Sequence, residues 1–486
     1  MSLLAAVALL FFSTGRWIIP VAAWLSPLFL LRFVRSHRAF PGLVVGTLAS
    51  IGVQFVVWRG MIPAPGALYY AIVTVIAITG MLPYLADRLI GPRVGGFKST
   101  LVFPCAWAAV EYLSAAMSPY GTWGVTAYSQ ADDLPLIQMV SVTGLWGIGF
   151  LVAWLASVAN WAWEEGFEWR KIRGGVLAYG AVLALVHLMG GARLALAPPS
   201  SDTVRVASFT HTSRGLDPWN LLGHRVQGAA LDSVRAQLRA HQDTLLEWSR
   251  REARAGAKVV MCSEANFVVL KSDEDAALAR IADVAREQGA YVAMAMSVFT
   301  PGEGYYENEL AVVGPSGKLL ARYHKARPVP GDPERGADRE IPVFQASFGR
   351  VAAAICFDMD FPDLIRRAGN QRADLILDPS SDWREIDPVH TRMALFRGIE
   401  NGCSVVRQTH KGLSAAADWQ GRVLARGDFF QARPHVMVAQ VPTRGTSTVY
   451  SKVRDLFAYL CVGALAFFAA GAIASWKSTR SVAEPR

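Results

Sequence analysis

The sequence predicts a two-part fold, in which a membrane-spanning bundle of about eight α-helices is joined to an α/β globular domain. First, 52% of the 486 residues are hydrophobic and the mean hydropathy is +0.27, which is too apolar for a soluble protein of this length. Second, the long apolar runs lie almost entirely within residues 1–200 and 455–475. Third, residues 201–453 are charged and alternate between apolar strand-like runs and polar-faced helical runs. These shifts predict domains at 1–200, 201–453 and 454–486.

The apolar runs of the N-terminal part and the C-terminus have the length of membrane spans. A helix needs about 20 mostly apolar residues to cross a bilayer. The candidate spans are residues 17–33, 41–58, 68–86, 101–117, 136–161, 174–196 and 455–475, with a shorter eighth at residues 2–14. Buried core helices are the alternative, but seven such runs separated by charged loops favour a membrane bundle.

Basic residues in the loops predict how the helices are oriented. Three connecting segments are basic: residues 32–38, 88–98 and 170–173. Residues 118–135 instead carry Asp132 and Asp133 with no Lys or Arg. Because Lys and Arg accumulate in cytoplasmic loops, residues 201–453 are expected on the opposite, extracytoplasmic side.

Three apolar strand-like runs in the globular domain lead into residues with complementary chemistry. These residues are Glu264, Lys325 and Cys356. A carboxylate can take the proton of a thiol, an ammonium can hold a thiolate and an oxyanion, and a thiolate is a nucleophile. The three residues therefore predict covalent catalysis through Cys356.

A different interpretation applies to Cys356 taken alone, because a buried free cysteine is usually an inert core residue. Its occurrence with Glu264 and Lys325 is what favours a nucleophile. A catalytically silent membrane scaffold that keeps this fold is the alternative from another functional class. Labelling of the Cys356 thiol by an activity-based probe would distinguish the two.

Composition excludes several other classes of protein. The formal net charge is +9, but no basic cluster is interleaved with aromatic residues, so we expect no nucleic-acid partner. The five cysteines form no CxxC pair, which argues against a disulfide framework or a zinc site. His324, His390 and His410 match no zinc motif and are expected to be hydrogen-bonded structural residues. We expect no metal and no cofactor.

The order and spacing of Glu264, Lys325 and Cys356 resemble those of the nitrilase, or carbon-nitrogen hydrolase, superfamily. Later elements of the chain also resemble it: Asp374-Leu-Ile-Leu, Ser381-Asp-Trp383, His390, Arg397, Glu400, Asn401 and residues 407–414. The chain further resembles the apolipoprotein N-acyltransferases, which carry this domain on a membrane bundle. That resemblance includes Gln138 and residues 144–149 and covers nearly the whole chain.

This resemblance implies a four-layer α-β-β-α sandwich for residues 201–453. It also implies that a phospholipid gives an acyl chain to Cys356, and that the N-terminal amine of a diacylglyceryl-cysteine apolipoprotein then receives it. The expected location is the bacterial inner membrane, with several spans and the catalytic domain on the periplasmic side. No cofactor is implied, and we expect a monomer.

Several other residues are candidates for the site. Lys325 and the backbone N–H of Phe357 are the expected oxyanion donors. Glu334 resembles the second glutamate of the superfamily, although Asp332 competes for that position. Asp358 lies where the acyltransferases carry a glutamate, and a carboxylate that caps a turn is the alternative.

Trp219 and Trp383 are candidates to line an acyl or lipid groove, although buried aromatic residues need no such role. Two departures from the acyltransferase pattern concern the acceptor. Cys262-Ser-Glu replaces the usual Trp-Pro-Glu, and residues 378–383 replace Ser-Asn-Asp-Ala-Trp. They motivate an alternative function, a membrane-tethered amidase in which water or another amine resolves the thioester.

Overall fold

The computed structural model describes residues 1–212, 221–223, 226–431 and 435–483. The chain divides into two compact units. One unit comprises Met1–Ala197 and Val453–Arg486, and the other comprises Pro198–Lys452.

The first unit consists of helices and short connecting turns. Its helices are Ser2–Leu10, Pro20–Ser36, Ala39–Val57, Gly66–Gly80, Leu82–Val94, Val102–Met117, Leu134–Ile137, Val140–Thr143, Trp146–Glu164, Trp169–Leu196 and Leu456–Ala483. Within the described residues, six helical stretches are long and apolar enough to cross a membrane: Ala39–Val57, Gly66–Val94, Phe97–Met117, Trp146–Glu164, Trp169–Leu196 and Leu456–Ala474. The helices at the predicted spans 2–14 and 17–33 are not among these six stretches. Ser2–Leu10 has 9 residues and Pro20–Ser36 has 17, which is short for a membrane span.

One helix forms the centre of this unit. Within Trp146–Glu164, 78% of the apolar window is buried, whereas Trp169–Leu196 and Leu456–Ala474 each bury 17%. Helices that expose apolar side chains are suited to contact with lipid. The predicted span at 136–161 is wrong at its start, because Gly144 with φ +64° ends a short helix there.

A buried carboxylate of the helix Val102–Met117 binds a neighbouring loop and packs against the central helix. Glu111 Oε1 accepts hydrogen bonds from the backbone N–H of Thr126 at 2.8 Å and from its hydroxyl at 2.6 Å. A Cβ atom added to Gly149 would lie 2.3 Å from Glu111 Oε2. The glycine therefore permits the close packing of the helix against this carboxylate.

The second unit contains two β-sheets. Its strands are β1 Thr203–Phe209, β2 Val259–Cys262, β3 Phe267–Leu270, β4 Tyr291–Phe299, β5 Tyr306–Val313, β6 Leu319–His324, β7 Glu334–Arg335, β8 Val343–Ala346, β9 Gly349–Ala353, β10 Leu375–Ser381, β11 Ser404–His410, β12 Leu413–Ala417, β13 Val423–Asp428 and β14 Val436–Pro442. One sheet has the order β14-β1-β2-β4-β5-β6, with β3 beside β4 and β7 beside β5. The other has the order β13-β12-β11-β10-β9-β8.

Helices cover the outer face of each sheet. Gly228–Arg254 and Glu274–Gln288 pack on the first sheet, and Val389–Asn401 packs on the second beside Pro362–Asn370. A fifth helix, Val449–Val453, ends this part of the chain. The sheets are joined by the Ser208 hydroxyl, which donates to Gln408 Oε1 at 2.7 Å. The predicted α-β-β-α sandwich is therefore confirmed.

Most elements of this domain match the sequence prediction, and the differences are in short strands. The sequence predicts a helix over 389–401, and the helix Val389–Asn401 has those bounds. Strands β3, β7 and β8 were not predicted, because they have four, two and four residues. Such short runs carry too little periodicity to identify a strand.

Candidate active site

Cys356 lies in a tight turn and not at the end of a strand. The sequence predicts a strand that reaches residue 357, but β9 ends at Ala353 and a 3₁₀ helix spans Cys356–Asp360. Cys356 itself has φ +49°. This left-handed conformation is unusual for a residue with a side chain, and such residues cluster at active sites and in tight turns.

The thiol of Cys356 is buried, with 2% of the residue exposed. Its Sγ atom lies 3.6 Å from the backbone oxygen of Ser381, within hydrogen-bond distance for sulfur. Burial raises the pKa of the thiol well above its usual value, and the Glu264 carboxylate adds to this while the Lys325 ammonium opposes it. The resting thiol is therefore protonated at neutral pH and needs a base before it can attack.

Lys325 connects two buried glutamates. Its Nζ atom lies 2.8 Å from Glu264 Oε1 and 2.8 Å from Glu334 Oε1. Asn308, on β5, donates from its amide to Glu264 at 2.8 Å and to Glu334 at 2.7 Å. The sequence did not identify Asn308; its signal is a polar residue inside an apolar strand.

The charges of this group stabilise one another. Burial alone would lower the pKa of Lys325, but the Glu264 and Glu334 carboxylates outweigh it and raise that pKa well above the ordinary value. Burial would raise the pKa of Glu334, but Lys325, Asn308 and the backbone N–H of Val329 together lower it. Lys325 is therefore a permanent cation beside the thiol.

The choice between Glu334 and Asp332 is clear in the geometry. Lys325 contacts Glu334, and the Val329 backbone N–H donates to the same carboxylate at 2.6 Å. Burial and the charge of Glu334 raise the pKa of Asp332. Of these two residues, Glu334 is therefore the one that contacts Lys325.

Asp358 holds two parts of the site together. Its carboxylate accepts hydrogen bonds from the Tyr323 hydroxyl at 2.7 Å, the Arg327 backbone N–H at 2.9 Å and the Ile355 backbone N–H at 3.0 Å. Burial raises its pKa to about 7. Asp358 therefore fastens the chain that follows β6 to the turn that bears the thiol. Phe357 lies in the first turn of that 3₁₀ helix, where backbone N–H groups lack an intrahelical partner.

Trp219 and Trp383 are the two tryptophans predicted to line a groove. Trp219 lies outside the described residues. Trp383 is half-buried and follows β10, two residues after Ser381, whose backbone oxygen contacts the Cys356 thiol. Trp383 is thus close in the chain to a residue that contacts Cys356.

Other cysteines of this domain differ from Cys356 in their surroundings. Cys262 is buried in β2, where its sulfur accepts from the Ala295 backbone N–H at 3.3 Å, and burial raises its pKa to about 12. Cys403 is also buried, and its pKa is raised. Cys356 alone of these three is influenced by both the Glu264 carboxylate and the Lys325 ammonium.

Two groups of side chains resemble metal ligands. Among the described residues these are Cys356 with Asp382 and His390, and Glu307 with Glu309 and His324. Arg407 already contacts Asp382 at 3.2 Å, Arg322 contacts Glu309 at 3.0 Å, and Lys271 contacts Glu307 at 2.8 Å. These cations balance the carboxylates that a metal would need. His410 packs edge-on against Phe429, with ring centres 5.1 Å apart.

His390 bridges two buried aspartates, Asp382 and Asp360. Its Nδ1 lies 2.7 Å from Asp382 Oδ1, and its Nε2 lies 3.1 Å from Asp360 Oδ2. Arg407 Nη2 also lies 2.9 Å from His390 Nδ1. Because this Nδ1 donates to Asp382, the contact with Arg407 is between two donors and is not a hydrogen bond. Burial alone would lower the pKa of His390, but Asp360 and Asp382 outweigh it and raise that pKa to about 9.

His390→Gln is expected to remove stability that depends on pH. A histidine with a pKa of about 9 in the folded protein and about 6.5 unfolded contributes about 3 kcal/mol, present in full below pH 6.5 and lost as the pH rises through 9. Urea unfolding of the wild type and the variant in detergent would measure this. The difference in unfolding free energy should be larger at pH 6 than at pH 9.5, and a constant difference would contradict a charged His390.

Comparisons with known proteins are consistent with this two-part architecture. The family described as carbon-nitrogen hydrolase matches residues 225–449, and the family described as apolipoprotein N-acyltransferase N-terminal domain matches residues 4–158. The apolipoprotein N-acyltransferase of Geobacter metallireducens is 26% identical over 88% of this chain and 86% of its own length. That of Gloeobacter violaceus is 24% identical over 83% of this chain and 80% of its own.

A solved structure is also similar to part of this chain. It is an amidase from Nesterenkonia sp., 19% identical over 53% of this chain and 96% of its own, with a TM-score of 0.41.

Proposed function

We propose that this chain, which carries both the N-terminal domain of the apolipoprotein N-acyltransferases and a carbon-nitrogen hydrolase domain, moves an acyl chain from a phospholipid to the N-terminal amine of a diacylglyceryl-cysteine lipoprotein. The observation that carries the proposal is a buried thiol whose pKa is shifted by a carboxylate and an ammonium, in a chain whose described residues include six helical stretches of spanning length. Both substrates are lipids, and a soluble enzyme would have to extract them at about 0.8 kcal/mol per buried CH₂.

The first half-reaction acylates the enzyme. Glu264 takes the proton of Cys356, and the sulfur attacks the ester carbonyl of the phospholipid. The resulting oxyanion is held by the Lys325 ammonium and the Phe357 backbone N–H. When it collapses, the bond to the glycerol oxygen breaks, Glu264 returns the proton to that oxygen, and a lysophospholipid leaves.

The second half-reaction transfers the acyl chain to the acceptor. The α-amine of the lipoprotein attacks the thioester carbonyl, and Glu264 takes a proton from the nitrogen. Cys356 leaves as a thiolate and recovers the proton from Glu264, and the product is an amide. Glu334 and Asn308 act indirectly in both steps, because they hold Lys325 and Glu264 in place.

The membrane setting fits these substrates. The chain is a multi-pass bacterial membrane protein, and its catalytic domain lies on the periplasmic side in this proposal because the basic loops predict that orientation. Phospholipid and diacylated apolipoproteins are the partners. The protein acts as a monomer, without nucleic acid.

Intact-mass spectrometry of the purified protein in detergent tests the first half-reaction. Incubation with phospholipid is expected to add one acyl group to the wild type and to Cys262→Ala, but none to Cys356→Ala. Both cysteines are buried, and Cys356 alone of the pair has both charged partners. Addition of a diacylglyceryl-cysteine peptide should then remove the group, whereas the same peptide with an acetylated amine should leave it in place.

The amidase alternative predicts a different outcome of the same experiment. It is motivated by Cys262-Ser263 before Glu264, where the acyltransferases resembled here carry Trp-Pro. An acyl-enzyme that forms from small amides and not from phospholipid would favour the amidase. Acylation of Cys356→Ala by phospholipid would contradict both functions.

A further inference from the structure

A chain of buried ion pairs begins at the backbone of the nucleophile. The Cys356 backbone N–H donates to Asp378 Oδ1 at 2.9 Å. The other oxygen of Asp378 accepts from Arg407 Nη1 at 2.6 Å, and Arg407 Nη2 donates to Asp382 at 3.2 Å. These charged side chains are at most 4% exposed. Burial raises the pKa of Asp378 to about 6, although Arg407 opposes this.

The chain of ion pairs returns to the same turn from the other side. His390 links Asp382, at 2.7 Å, to Asp360, at 3.1 Å. Asp360 is the last residue of the 3₁₀ helix that begins at Cys356. The two ends of this helix are therefore held by one network, which is anchored on the helix Val389–Asn401 and on the second sheet.

The attachment at Asp378 bears on the conformation of the nucleophile. Cys356 has φ +49°, and a conformation of this kind persists only where its surroundings fix it. The hydrogen bond to Asp378 is made by the N–H group of that same residue. It therefore limits rotation of the backbone that aims the thiol.

We propose that Asp378 is a positioning residue, which with Arg407 and His390 fixes the Cys356 backbone so that the thiol is aimed at the acyl carbonyl. Asp378 touches no reacting atom and acts through the Cys356 N–H. The proposal deepens the proposed acyl transfer and rests on Cys356 being its nucleophile.

Two substitutions at Asp378 separate its role in positioning Cys356 from a role in folding. Asp378→Ala removes the acceptor of the Cys356 N–H and is expected to slow acylation about 10²-fold, as displacement of a reacting group by about 1 Å does. Asp378→Asn keeps an oxygen acceptor and should recover most of this, to a rate about three- to tenfold below the wild type, because a neutral acceptor holds the N–H less strongly than a carboxylate does. The KM for the acyl donor should stay the same in both variants, because Asp378 does not contact the donor.

Asp374 provides a matched control immediately before the same strand. Its carboxylate also accepts from backbone N–H groups, those of Arg350 at 2.8 Å and Gly445 at 2.9 Å, and it has no contact with Cys356. Asp374→Ala is expected to acylate within about twofold of the wild type. If Asp378→Ala does not fold, Asp378→Asn and Asp374→Asn decide, and equal acylation rates of those two overturn the proposal.

The acyl donor in this test is p-nitrophenyl acetate, which transfers acetyl to the thiol and releases p-nitrophenolate. Acetylation of Cys356 is followed by intact mass in the full chain. The reaction needs no phospholipid, so a wild type that accepts acetyl and not a phospholipid chain would contradict the proposed donor and leave the positioning test valid. Acetylation of folded Asp378→Ala at the wild-type rate, or of Asp378→Asn as slowly as Asp378→Ala, would overturn the role of Asp378.

Discussion

Glu264→Gln is expected to slow acylation of Cys356 by about 10²- to 10⁴-fold at neutral pH, the usual contribution of a positioned general base. Burial raises the pKa of the Cys356 thiol well above its ordinary value, so almost no thiolate exists until a base takes the proton. A glutamine oxygen can still accept hydrogen bonds from Lys325 and Asn308, which bind Glu264 at 2.8 Å each. The fold is therefore preserved while the proton acceptor is lost. Single-turnover acylation, measured by intact mass, gives the rate.

The matched control for this variant is Glu307→Gln. Glu307 also pairs with a lysine, Lys271, at 2.8 Å, but neither is among the charged groups that shift the pKa of Cys356, so this variant should affect acylation by less than about twofold. In Glu264→Gln the rate should rise about tenfold per pH unit, because the thiolate then forms only by loss of its proton to water. If Glu264→Gln is acylated at the wild-type rate at pH 7, Glu264 is not the base.

The conformation of Cys356 shows what the sequence could and could not predict. A run of small and β-branched residues that ends in a cysteine predicts a strand that leads to a thiol, and β9 lies there. The positive φ of Cys356 was not predictable, because the backbone N–H groups of Ile355 and Cys356 donate hydrogen bonds to the carboxylates of Asp358 and Asp378, which only the fold brings to the turn. The strand was therefore predicted four residues too long.

Asn308 and Glu334 illustrate the same distinction. Glu334 was a candidate from its resemblance to a superfamily residue, with Asp332 as a competitor, since a loop fixes no direction for its side chains. The short pairing of β7 with β5 places Glu334 opposite Tyr306 and so beside Asn308. Asn308 has no chemistry of its own and becomes recognisable only when the two glutamates that it bridges are known.

In the helical unit, composition predicted the spanning stretches but not where each helix begins and ends. Apolar length identifies the six spanning stretches, because the bilayer thickness sets that length. It does not show the short helices before Trp146, which end at Gln138 and Gly144 within an otherwise apolar run. Nor does it show that Gly149 is required by Glu111, since that contact is between two helices.

Lys325→Met is expected to lower the free energy of unfolding by about 3–5 kcal/mol, because it leaves two buried glutamates without their cation. It also removes a proposed oxyanion donor, which lowers the acylation rate by about 10²- to 10³-fold. Lys325 lowers the pKa of Glu334, so this stabilisation is present above the unfolded pKa of about 4.3 and is lost as the pH falls through the folded value. The stability difference from the wild type should therefore be largest near pH 7 and smaller at pH 4. Urea unfolding in detergent measures the stability difference at each pH.

Lys271→Met separates this effect from the general loss of a lysine. Lys271 likewise bridges two carboxylates, Glu274 at 2.9 Å and Glu307 at 2.8 Å, but its side chain is 41% exposed. Water screens such a pair, and its loss should change the stability by less than about 1 kcal/mol. Adding Glu264→Gln and Glu334→Gln to Lys325→Met removes the unpaired charges and should restore most of the stability without restoring acylation. If Lys325→Met is as stable as Lys271→Met, or if the triple variant is no more stable than Lys325→Met, the buried charge group does not have this role.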